Sequence, residues 1–265
     1  MAKRTARRAA RRMQEHVHYG EESNVRRLFD EPQWSPMDEN KYDRQNQNRG
    51  PNRGESDQKY RKNIRAQNDS QQKMLDAIDE DPLVFACGAA GTGKTYLAIA
   101  KAVEALDSGA VRRIILSRPA VEAGESLGFL PGDMEEKLSP YLRPLYDALC
   151  DRISSKRLKA LMAEGVIEIA PIAYMRGRTL NNAYIVIDEA QNCTYGQLKM
   201  LLTRLGWNSS MVVTGDPAQS DLLPGMSGLA DVVEKLENID NVSAIRFTRE
   251  DVVRHPLVAE MIDAL

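Results

Sequence analysis

Residues 88 to 95 read Gly88-Ala89-Ala90-Gly91-Thr92-Gly93-Lys94-Thr95, the pattern of a phosphate-binding loop. Glycines let the backbone curl so that successive N–H groups point into one concavity. A helix start behind them adds partial positive charge, and together they attract anionic oxygens. Lys94 suits the β- and γ-phosphates of a nucleotide as a point charge, and the Thr95 hydroxyl suits Mg²⁺. Gly88 through Thr95, with Tyr96 after them, are the residues expected to bind the nucleotide.

A second group closes the apolar run Ile185-Val186-Ile187 with Asp188 and Glu189. Asp188 suits the Mg²⁺ shell, directly or through water, and Glu189 suits a base that orients or deprotonates an attacking water. Acids at a strand end are common on surfaces, so the weight here comes from the phosphate loop that precedes them. A third group is Thr214-Gly215-Asp216-Pro217-Ala218-Gln219. Thr214 or Gln219 is placed to touch a γ-phosphate, and Asp216 to support the metal shell. Gly-Asp-Pro by itself is an ordinary turn.

Those groups need a frame that brings them together. Leu83-Val84-Phe85-Ala86-Cys87 before the loop suits a buried strand, and 96–103 after it has helical spacing. A helix is expected over 72–78. Strands are expected at 114–116, 166–169, 183–187, 211–213 and 242–245, with helices over 135–153, 195–205 and 229–236 between the later ones. The alternation implies a mostly parallel sheet with helices on both faces, and ligands beyond the carboxyl ends of its strands.

Composition sets outer bounds. With 265 residues and 42% hydrophobic, the chain can build one good core, but aromatics are only 6%, too few to base a reading on stacking. Cys87, Cys150 and Cys193 show no metal-ligand spacing, so buried thiols in a reducing cytoplasm are expected. No run is long enough to span a membrane, and no apolar segment follows the basic start. The net charge of −2 hides an asymmetry, because no acid occurs before Glu15. Arg4, Arg7, Arg8, Arg11 and Arg12 would share one side of a helix, either as a nucleic-acid arm or as a solvated basic arm. Residues 13–60 are polar and irregular, and 1–62 read as a disordered extension to a folded domain over 63–265.

Taken together, residues 65 to 265 resemble the PhoH family of phosphate-loop ATPases. Beyond the generic motifs, the resemblance rests on Leu116-Ser117-Arg118-Pro119-Ala120-Val121, Gly128-Phe129-Leu130-Pro131-Gly132-Asp133, Tyr174-Met175-Arg176-Gly177-Arg178-Thr179 and Asp251-Val252-Val253-Arg254-His255-Pro256. That family, found in bacteria and their phages, is similar to the first motor domain of superfamily 1 helicases. The resemblance implies a three-layer α/β fold, ATP hydrolysis, Mg²⁺, an RNA or single-stranded DNA partner, and a ring, a hexamer. Gln71 matches the place of an adenine-reading glutamine, its alternative being an ordinary polar helix residue. Arg118, after the second strand, stands where such helicases meet the nucleic-acid backbone; a salt bridge to Glu122 or Glu125 is its alternative. A helicase clamps ATP with an arginine from a second motor domain. Few residues follow Arg254 here, so that cation is expected from a neighbouring copy. Arg176, Arg178 and Arg254 are the candidates, and such a finger is worth about 10³–10⁵ in rate. An ATP-switched assembly factor with little turnover, or a phosphotransferase, are the alternative functions.

Overall fold

The computed structural model describes residues 64–119 and 134–253, with residues 134–140 described in secondary structure alone. The 1–62 extension with Arg4, Arg7, Arg8 and Arg11, the glycine-rich stretch 124–132, and Arg254 lie outside the described residues.

The elements run α1 (Asp69–Glu80), β1 (Leu83–Gly88), α2 (Lys94–Ser108), β2 (Arg113–Ser117), α3 (Met134–Cys150), α4 (Ser155–Ala163), β3 (Ile167–Ile169), β4 (Ala183–Ile187), α5 (Tyr195–Leu202), β5 (Ser210–Gly215), α6 (Leu229–Leu236) and β6 (Val242–Phe247). Short 3₁₀ turns cover Ile172–Met175, Ala190–Asn192 and Arg249–Asp251. Local chemistry sets several starts. The Asn68 side chain caps α1 by accepting from Gln71 N, and Thr194 and Gln197 close a reciprocal capping box at α5. Gly109, in the left-handed region, ends α2. The expected helix over 195–205 stops at Leu202, where Thr203 turns its hydroxyl back on the Lys199 and Met200 carbonyls. Helix α4 was not anticipated; it is short, and only Leu158 is buried.

All six strands are parallel, in the order β3-β2-β4-β5-β1-β6. Strands covered on both faces read as continuous apolar runs, and all five residues of β4 are buried. Alternate residues then serve two cores. Val84, Ile114, Leu116, Val186 and Val212 pack with α1, α2, α3 and α4 on one face. Phe85, Ile115, Ile185, Ile187 and Val213 pack with α5 and α6 on the other. The three-layer α/β expectation is met, and fully parallel among the described residues.

The strand order decides what meets. Strands β4, β5 and β1 are consecutive neighbours, so the segments after them emerge side by side at one edge of the sheet. Strand β2 lies next to β4, so whatever follows Ser117 also arrives there. The three cysteines are unpaired; Cys87 and Cys193 are buried, but Cys150, expected to be buried, is exposed at the end of α3. Burial pushes the Cys87 thiol up to about 11 and the Cys193 thiol up to about 12, so neither is a thiolate nucleophile near neutrality.

Candidate nucleotide-binding and catalytic site

A cleft of about 310 Å³ opens at that edge, lined by Ala90, Gly91, Gly93, Lys94, Thr95, Tyr96, Asp188, Glu189, Gly215, Asp216 and Gln219. The three sequence groups, far apart along the chain, converge on it. A larger groove of about 840 Å³ runs along α1 and α2, past Asp76, Asp79, Lys101 and Glu104. It has neither a glycine loop nor a strand-end carboxylate pair, so the smaller cleft is the site.

The loop's shape depends on its glycines. Gly88 has φ +133°, and a Cβ there would sit 2.0 Å from the Phe247 carbonyl oxygen on β6. Gly93, the N-cap of α2, has φ +84° and faces the Gln71 side chain. Lys94 Nζ donates to the Gly88 and Ala89 carbonyls, both at 2.7 Å, and to Thr92 Oγ1 at 3.2 Å. Its ammonium is thus curled into the loop and lies 5.9 Å from the Phe247 ring centroid. Burial lowers the Lys94 pKa below the ordinary lysine value, while Asp216 and Glu189 pull the other way.

The Thr95 hydroxyl donates to Asp188 Oδ1 at 2.6 Å, and Thr214 Oγ1 donates to the same oxygen at 2.7 Å. Thr214 therefore supports Asp188, rather than standing free to touch a γ-phosphate. These hard oxygen donors fit Mg²⁺, which takes one or two carboxylates and fills its shell with water and phosphate. Asp188 is buried, whereas the Glu189 side chain is 38% exposed. Glu189 has φ 52° and ψ 42°, a left-handed conformation that is strained for a non-glycine residue. Its Oε2 accepts from Gln191 Nε2, and the other end of that amide accepts from Asp216 N at 3.0 Å. Gln191 thus ties the second group to the third, and Asn192 does the same through paired 2.8 Å bonds with Asp221. Asp216 lines the cleft and accepts from Ala218 N, and Gln219 lines the cleft as expected.

Two expected residues have other surroundings. Gln71 does not line the cleft. Its amide oxygen accepts from Gln67 N at 2.8 Å and its nitrogen donates to the Thr92 carbonyl at 3.0 Å. Here it braces the back of the loop. Glu122 and Glu125, the acids expected as alternative partners of Arg118, lie outside the described residues; among those described, it lies 3.3 Å from Glu189 Oε1 and 3.6 Å from Asp188 Oδ2. Its guanidinium is turned into the cleft's carboxylates, so it is not an open backbone-phosphate contact in this form.

Of the finger candidates, Arg178 makes a two-pronged pair with Glu168, at 2.6 and 2.7 Å. That is the structural ion pair, and a guanidinium held this way is not offered to a neighbour. Arg176 is exposed, next to Gly177, and its side chain makes no hydrogen bond or ion pair with the described residues. Sequence reasoning missed Phe247, and it reaches Gln191 only as the fourth residue of Asp188-Glu189-Ala190-Gln191, without its contacts to Glu189 and Asp216.

The family described as PhoH, PhoH-like protein, matches residues 63–265. A PhoH-like protein of Bacillus subtilis is 58% identical over 204 residues, 77% of this chain and 64% of that protein. Protein PhoH of Escherichia coli is 48% identical over 204 residues, 76% of this chain and 58% of that protein. The chain thus spans less than two thirds of the length of these relatives. Among solved structures, the large terminase of a thermophilic bacteriophage is similar at 13% identity, covering 74% of this chain and 49% of that one, with a TM-score of 0.47. With its phosphate loop, its paired carboxylates and its match over residues 63–265, this chain belongs to the PhoH-like protein family.

Proposed function

We propose that this chain binds ATP with Mg²⁺ and hydrolyses it, and that turnover is coupled to RNA or single-stranded DNA in a ring of copies. The observation that carries the reading is the 2.6 Å bond from Thr95 to Asp188. It joins the end of the phosphate loop to the end of β4, the two places a nucleotide and its metal must share. When bound, Mg²⁺ would neutralise charge on the phosphate oxygens. The loop amides and Lys94 hold the phosphates, Thr95 and Asp188 hold the metal, and Glu189 takes a proton from the attacking water. Gln219, in the cleft wall, is suited to sense the terminal phosphate.

Support for a ring is more specific than the motifs. Among the described residues, Lys94 is committed to the phosphate loop and Arg118 to the two carboxylates. A further cation on the transferred phosphate would come from a neighbouring copy, and Arg176, exposed and with no side-chain pair among the described residues, is suited to supply it. Contacts that run head to tail and close give rings.

Turnover of ATP, measured with and without single-stranded RNA and DNA at low salt, tests the reading. Stimulation is expected. Glu189→Gln is expected to keep nucleotide affinity and to lose about 10²–10⁴ in turnover, the usual worth of a positioned base. Unchanged turnover in Glu189→Gln overturns its role. Absence of both stimulation and binding overturns the coupling to nucleic acid, and a phosphorylated product in place of free phosphate would make the chain a phosphotransferase.

A further inference from the structure

We infer that Arg118 is the positioning residue of Glu189, the group that holds one oxygen of its carboxylate and keeps it correctly aimed in the cleft. The inference rests on the hydrolytic reading above. Asp188 and Glu189 are adjacent in sequence and both face the cleft. Arg118 is the one described residue whose cation contacts both, at 3.6 Å and 3.3 Å. Its side chain is 20% exposed, so water screens this attraction less than it would at an open surface.

Geometry adds to charge. Glu189 is aimed by three restraints from three different places. Its own left-handed backbone sets the direction of the side chain. Gln191, with its amide sense fixed by Asp216 N–H, holds Oε2. Arg118 holds Oε1. Each oxygen keeps a second lone pair, so the carboxylate can be held and still accept a proton from water. Arg118 reaches this point because β2 pairs with β4 in register Ser117↔Ile187, which puts the residues after both strands side by side.

The test compares Arg118→Gln, Arg118→Lys, Glu189→Gln and the double variant Arg118→Gln/Glu189→Gln. Single-turnover rates with enzyme in excess are read with nucleotide affinity and unfolding midpoint. Arg118→Gln is expected to lower the rate about tenfold or more, a coupling of ordinary size between groups in contact. Nucleotide affinity is expected to stay within about threefold of the parent, since Arg118 is not in the phosphate loop. Arg118→Lys is expected to recover part of the rate, because it keeps the charge but not the fork. In the Glu189→Gln background the Arg118 change is expected to add nothing. The inference is overturned if Arg118→Gln leaves the rate unchanged, or if its effect is undiminished in the double variant. If Glu189→Gln is inactive while Arg118→Gln is normal, this inference alone fails. If Glu189→Gln is fully active, the hydrolytic reading fails first. Loss of nucleic-acid affinity in Arg118→Gln at an unaltered rate would make Arg118 a backbone contact, and also overturns the inference.

Discussion

Lys94 shows how one side chain meets two demands. It must be charged to hold phosphates, yet burial holds its pKa below the ordinary lysine value. The folded chain therefore gives up this proton at a lower pH than the unfolded chain does. Between the two values the unfolded state binds more protons, so stability rises with pH there, and below that window the buried charge is a cost. The stability of the parent minus that of Lys94→Met, from urea unfolding, is expected to rise on going into the alkaline range. A flat or falling difference would show that Lys94 is not desolvated. The arginines divide in the same physical way. Arg178→Ala leaves Glu168 half-buried without its fork, and is expected to cost about 1–3 kcal/mol of stability. Arg176→Ala breaks no contact among the described residues, so it is expected to leave the unfolding midpoint unchanged while lowering turnover of the assembled form. Equal effects of the two on the midpoint would remove the distinction.

Among the elements, the β1–β6 pair is the tightest constraint on the loop. Gly88 pairs with Phe247, and its absent side chain is where the Phe247 carbonyl lies. Gly88→Ala is expected to cost about 3 kcal/mol or more, strain and clash together. Gly177→Ala is the comparison, because φ is +76° there and nothing lies within 4 Å of the added carbon. It is expected to cost only about 1–2 kcal/mol, for backbone handedness alone. Melting of both variants checks this, and a mild Gly88→Ala would mean that β6 yields. The same pair explains what was legible. A glycine was readable at 88 from the motif, but Phe247 was not, since partnership between β1 and β6 is a matter of strand order. The start of α1 at Asp69 and the unforeseen α4 show the other limit, because caps and short, mostly exposed helices carry little periodic signal.

Across the whole molecule, the proposed ring predicts that a neighbouring copy adds a cation at the terminal phosphate. Mass measurement with and without ATP and Mg²⁺ is expected to show a multimer in the nucleotide-bound form. A monomer under every condition would rule out a shared site. The three motif groups, and the carboxylates at the end of β4, were determined by sequence alone, because residue type and spacing within one short segment suffice to make a phosphate nest or a strand-end acid. So was the two-faced parallel sheet, since an unbroken apolar run must be covered on both sides. What Arg118, Gln71, Thr214 and Arg178 do was decided only in three dimensions. Each is a polar side chain whose partner comes from a distant segment: the carboxylates beside β2, the back of the loop, the hydroxyl face of Asp188, and Glu168 on β3. Polar side chains take their roles from whichever partner the strand order brings within about 3 Å, and nothing local to the chain encodes that order.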